Sequence, residues 1–144
     1  MLNVKINSKK AISGLNRAKG KLKNSLFVAL VKATALIRET VIENIKTGKN
    51  RNLGWPPFSP KTIAMKAKKG RSFIGLVDTG TMMNRIHEEV DKRKMEGKVF
   101  PGVNYLIYHE KGTRKMPERQ IFAPVPNQVN SKIAGIFKAE VLVS

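Results

Sequence analysis

Metal or acid–base chemistry in this sequence would have to come from two histidines, ten acids and the basic residues beside them. His87-Glu88-Glu89 and His109-Glu110 are the places where a histidine adjoins an acid. A catalytic or structural metal needs ligands that converge at a set spacing, and neither an HExxH pattern nor a cysteine-based one is present. The sharper enzymatic candidate is Asp78 followed by Glu96-Gly97-Lys98. Metal-dependent nucleases hold a divalent cation with carboxylates and use a lysine to assist the nucleophile or the transition state. A triplet of this kind is common by chance, and Gly97 reads better as a hairpin turn, which would put Glu96 and Lys98 outside any pocket. No Gly-rich phosphate loop, nucleophile elbow or dinucleotide fingerprint occurs. The reading is therefore a protein that is not an enzyme, with no catalytic, metal-binding or cofactor-binding residue.

Charge points more firmly to a partner. The 144 residues carry a formal net charge of +18, unevenly spread. Residues 1–77 hold 17 Lys and Arg against two acids, whereas residues 78–144 hold 11 against eight. A field this strong implies an anionic partner, either nucleic acid or an acidic protein surface. Lys61, Lys66, Lys68, Lys69 and Arg71 are taken as the anionic-partner patch. Aromatic side chains are not interleaved with it and no DNA-reading motif surrounds it, so any contact with DNA should ignore base sequence. Cysteine is absent, which removes disulfides and thiolate metal sites. Residues 1–7 lack the apolar stretch of a signal peptide and no run is long enough to span a membrane, so a soluble protein made inside the cell is expected.

The elements that would position these groups form one α+β domain over residues 1–144. Leu2, Val4 and Ile6 alternate with polar residues as in a short strand. Residues 9–23 repeat apolar positions at helical spacing, but Gly14 and Gly20 predict a break near Gly20. Residues 24–47 give the clearest helix, with Phe27, Leu30, Val31, Ile37, Val41, Ile42 and Ile45 on one broad face and Gly48 as its stop. Arg38 falls inside that stripe, so its stem snorkels or meets another subunit. Ser59-Pro60 starts a short basic helix over residues 61–69. Asp78, Thr79 or Thr81 would cap a helical turn containing Met82, Met83 and Ile86. Residues 86–94 and 97–103 read as a hairpin turning near residues 95–97. Val129, Ile133, Ile136 and Phe137 predict a last helix, packed on the sheet or on the long helix.

Residues 104–124 organise the rest. A short helix or turn with Tyr105, Leu106, Ile107 and Tyr108 breaks at Gly112 into a basic loop, and the chain re-enters the core at Ile121 and Phe122. Loops held by a scaffold commonly carry recognition. Tyr108, Lys111, Arg114, Lys115, Met116, Arg119 and Phe122 are therefore read as a partner interface, mobile until it docks.

Four blocks in order resemble a family of tailed-phage proteins, the tail-completion or virion-morphogenesis proteins of the head–tail joint. Gly54-Trp-Pro-Pro-Phe-Ser-Pro-Lys-Thr-Ile-Ala with Lys66 resembles the family's Trp-Pro-x-aromatic/Leu-Ser-Pro-x-Thr block. Leu76-Val-Asp-Thr-Gly-Thr-Met-Met-Asn-Arg-Ile resembles Leu-Val-Asp-Thr-Gly-x-Leu, and Tyr105-Leu-Ile-Tyr-His-Glu-Lys-Gly-Thr resembles Tyr-x-x-x-His-Glu-x-Gly-Thr. Met116-Pro-Glu-Arg-Gln-Ile-Phe-Ala-Pro is similar to Pro-x-Arg-Pro-Phe-Leu-x-Pro, with Gln120 in place of the second proline. The resemblance implies a structural virion protein without cofactor or membrane partner: a long helix against a small sheet, assembled in the host cytoplasm as a homo-oligomeric ring, a hexamer first among the stoichiometries. Its partners would be the neighbouring neck and tail proteins, with non-specific contact to packaged or passing double-stranded DNA.

Overall fold

A computed structural model describes residues 8–48, 53–71, 75–76 and 80–143. The strand expected at residues 2–6 lies outside them, as do Asp78 and Thr79. The first helix, α1 (Ser8–Thr47), runs unbroken for 40 residues, about 60 Å at 1.5 Å per residue. The break expected near Gly20 does not occur. Glycine in a helix interior costs roughly 1 kcal/mol relative to alanine, a penalty that weakens a helix without ending it. A Cβ at Gly14 or at Gly20 would meet nothing, so neither glycine answers to a packing constraint.

The two halves of α1 differ in environment. Residues 13–24 are exposed throughout, whereas Ala29, Ala33, Val41 and Ile45 are buried. The last helix, α5 (Val125–Val143), lies antiparallel on the covered half. Gln128 meets Asn44 near one end of the seam, and Glu140 forms an ion pair with Lys32 near the other. Of the two positions expected for this helix, the structure takes the one against the long helix, with Val129 buried there and Ile133 half-buried.

The sheet is a two-stranded antiparallel hairpin, β1 (Ile86–Asp91) and β2 (Glu96–Pro101), whose strands both contact α1. Its turn is residues 92–95, earlier than expected, because the Asp91 carboxylate accepts the N–H groups of Arg93 (2.8 Å) and Lys94 (3.1 Å). Gly97 is thus a strand residue and not the turn. A Cβ there would collide with the Thr34 hydroxyl of α1, so the glycine permits close approach of strand and helix. Arg38 donates from Nε to the Ile86 carbonyl at 2.9 Å, which makes the cation in the apolar stripe a staple to the start of β1.

Three short helices complete the described residues: α2 (Pro60–Lys68), α3 (Thr81–Asn84) and α4 (Leu106–Lys111). The Ser59 hydroxyl caps α2 by accepting the Thr62 N–H at 3.2 Å. At α3 the N-cap is Gly80 and no side chain caps it, and Ile86, expected both in this turn and as the first residue of the hairpin, opens β1. The core joins α1, α3, the hairpin, α4 and α5, with Val41 and Ile45 of α1, Met82, Ile86, Leu106, Ile121, Val125 and Val129 at its centre, and takes no residue from α2.

Candidate binding site at the motif cluster

Glu110, at the end of α4, faces the turn that precedes α5. Its carboxylate accepts the backbone N–H groups of Ile121 (2.7 Å), Phe122 (3.0 Å) and Ala123 (2.8 Å). These donors have no helical partner, so one ionised side chain satisfies the approach to α5. Gly112, at φ +70°, then turns the chain in the left-handed region, and a Cβ there would press on the backbone of Met116 and Glu118. The following residues close a tight loop: Thr113 N–H donates to the Met116 carbonyl at 2.7 Å, and Met116 N–H returns the bond at 3.2 Å.

Arg119 leaves this loop and enters the protein. It is 5% exposed. Nε donates to the Pro56 carbonyl (3.3 Å), Nη2 donates to Pro56 (3.2 Å) and Pro57 (3.0 Å), and the guanidinium lies 4.6 Å from the Phe58 ring centroid. Burial holds its pKa below the ordinary guanidinium range. The next residue ties the same two segments again, because Trp55 Nε1 donates to the Gln120 carbonyl at 2.9 Å. The Trp55 ring covers Gly48 at the end of α1, where a Cβ would collide with it. Gly75 and Leu76 dock beside it, with Leu76 N–H donating to the Ile45 carbonyl at 2.7 Å and so satisfying an end group of α1. The four sequence blocks therefore meet, through their described residues, around the C-terminal end of α1.

Between α2, residues 57–59 and the Thr113–Arg119 loop lies a cavity of about 500 Å³. Its walls are apolar at Pro57, Phe58, Met65, Leu76, Met116 and Pro117, and cationic at Lys66, Lys69, Lys115 and Arg119. No carboxylate is among the described lining residues. Lys66 is 8% exposed, donates to the Gly75 carbonyl at 3.3 Å and sits 5.0 Å from the Phe58 ring centroid. His109 also lines the cavity, and its Nδ1 is buried with no hydrogen-bond partner. Burial first, and the charge of Arg119 second, hold its pKa below the ordinary 6.5.

Two sets of residues expected to act together are thereby divided. Of the partner-interface set, Lys111, Arg114 and Lys115 are exposed and Tyr108 is 53% exposed, while Met116 is half-buried at the cavity. Phe122 packs on the core and Arg119 is internal, so neither belongs to an exposed docking loop. Arg119 sits beside Glu118 and Gln120 in sequence and so reads as loop charge, although the carbonyls that bind it lie about 60 residues away. Of the anionic-partner patch, Lys61, Lys68, Lys69 and Arg71 are exposed, but Lys66 turns inward. Of the nuclease candidates, Glu96 and Lys98 pair with each other at 3.7 Å on an exposed face of β2, and Asp78 lies outside the described residues. Among the described residues no group of three or more histidines and acids could hold a metal ion, and no helix is long and apolar enough to cross a membrane. The roles of Phe58, Glu110 and His109 were not evident from residue types alone; the block pattern was their only sequence signal.

Comparison with known proteins adds one relative. The chain is 29% identical over 101 residues to an uncharacterized protein, MJ0331, of Methanocaldococcus jannaschii, an alignment covering 67% of this chain and 75% of the archaeal protein. No protein-family model matches the chain, and no solved structure matches it.

Proposed function

We propose that the chain is a structural virion protein of a tailed bacteriophage, acting in tail completion and head–tail joining as part of a ring at the neck or tail terminus. The observation that carries the reading is the convergence of the four blocks that resemble the tail-completion family. Their polar side chains bind backbone within the chain: Glu110 the turn before α5, Arg119 the carbonyls of Pro56 and Pro57, and Trp55 the Gln120 carbonyl. Motif residues used in this way brace a scaffold, which is the demand on a subunit that must hold shape between neighbours. The test is made on tailed particles from cells carrying the gene. Antibody against the chain should label the head–tail joint in electron micrographs, and deletion of the gene should leave heads and tails unjoined. Normal, fully joined particles from the deletion strain would overturn the proposal.

One observation favours a second reading, sequence-independent nucleic-acid binding. The exposed first half of α1 presents Arg17, Lys19, Lys21 and Lys23, and no acid stands between Ser8 and Asn24.

A further inference from the structure

We infer that the cavity between α2 and the Thr113–Arg119 loop is a binding site for an acidic peptide segment, one carboxylate-bearing residue followed by an apolar one, supplied by a partner protein. The inference does not depend on the virion reading and names a ligand chemistry that the reading leaves open.

Arg119 carries the argument. A buried cation is stable only when its donors are met, and a carboxylate is the partner that meets a guanidinium best. Its described bonds go to two neutral carbonyls through Nε and Nη2, so its charge meets no described carboxylate, and Nη1, which is not a buried atom, is left for a ligand. The side chain nonetheless forms part of the cavity wall. Lys115, exposed at the same cavity, adds a second positive charge. A carboxylate entering here would meet no described like charge on the wall.

The apolar lining selects the rest of the ligand. At about 500 Å³ the volume is within the range of small-ligand sites and suits two or three residues of an extended chain. A bare phosphate would leave the walls at Met65, Leu76 and Met116 wet. An apolar side chain next to the carboxylate would cover them, and the two flexible methionines can adjust to its shape. A nucleobase is served less well, because the ring it would stack on, Phe58, is already engaged by Arg119 and Lys66.

The probe is the tripeptide acetyl-Glu-Phe-Leu-amide, titrated into isotope-labelled full-length protein and followed by amide and arginine Nε–H resonances. Shifts are expected at Met65, Leu76, Met116 and Arg119. The Gln analogue of the peptide should bind about tenfold or more weakly, as the loss of a charge-assisted pair implies. Lys115→Glu and Met65→Asp, both at exposed positions that leave the fold intact, should each weaken the acidic peptide to a similar degree. Absence of shifts at millimolar peptide overturns the site. Equal affinity for the Glu and Gln peptides overturns its anion selectivity, and equal shifts from inorganic phosphate alone overturn the assignment to a peptide.

Discussion

At the scale of single residues, the same short block contains side chains with opposite consequences for the fold. Glu110 accepts three backbone N–H groups, and hydrogen bonds to a charged group are each worth about 1.5–3 kcal/mol net. Because these N–H groups are only part-buried or exposed and water can replace much of the carboxylate, Glu110→Ala should lower unfolding free energy by about 2–4 kcal/mol in urea titrations, less than the sum of three such bonds, with Glu110→Gln losing less because one oxygen remains. Arg114 and Arg119 separate in the same way. Arg114→Glu, at an exposed position, should change stability by under about 0.5 kcal/mol, whereas Arg119→Glu replaces a buried donor with an acceptor facing two carbonyls and should cost more than about 3 kcal/mol. Equal effects of the two would refute the buried placement of Arg119. His109 adds a pH dependence whose sign is fixed by its environment. Burial and Arg119 depress its pKa in the folded state, so the unfolded chain binds the proton first as pH falls below 6.5. Stability from this group is present above 6.5 and is lost as pH falls toward the folded-state pKa. The His109→Gln variant should show a shallower loss of melting temperature between pH 7 and pH 5 than the parent chain.

At the scale of elements, what the sequence made legible was set by local signals, and what it hid was set by contacts far along the chain. The Ser59-Pro60 start, the hairpin and the last helix follow from capping and periodicity, which act within a few residues. Gly97 shows the limit. Its neighbours suggest a turn, but the Asx turn at Asp91 already reverses the chain, and the reason for glycine is Thr34, 63 positions earlier. Gly20 is the converse case, where a local penalty predicts a break that the continuous helix overrides. For the candidate site, the cations were visible from composition, but which of them turn inward depends on Phe58, Pro56 and Pro57. This yields a test of the helix–hairpin contact. Gly97→Ala should destabilise by about 1–3 kcal/mol, the usual cost of overpacking, and Thr34→Ala should recover part of that loss by removing the hydroxyl it strikes. Strict additivity of the two substitutions would show that strand and helix do not meet at this point.

At the scale of the whole molecule, covered and uncovered regions coincide with the charge asymmetry. The core gathers on the second half of α1, where α5 and the hairpin lie, and α5 has reached its last turn where Glu140 pairs with Lys32. Beyond it, residues 8–24 extend about 25 Å at 1.5 Å per residue. That arm has no acid in its first turn, contains Gly14 and Gly20, and exposes Leu15 and Leu22 with Arg17, Lys19, Lys21 and Lys23. Like charges without acidic partners at helical spacing work against an isolated helix, so an anionic partner that neutralises them would stabilise the arm. Duplex DNA is a partner of that chemistry, and binding to it should release counterions with a slope of log affinity against log salt of about −0.9 per phosphate contacted. The chain is expected to bind two duplexes of unrelated sequence equally, and replacing Arg17, Lys19, Lys21 and Lys23 with Gln should flatten the slope by about 3–4. Helicity measured by circular dichroism should rise with DNA in the parent chain and not in the variant. Melting of the free proteins should agree closely, because all four side chains are exposed. An unchanged salt slope in the variant would move the DNA contact away from α1, and a preference for one sequence that survives high salt would contradict sequence-independent binding.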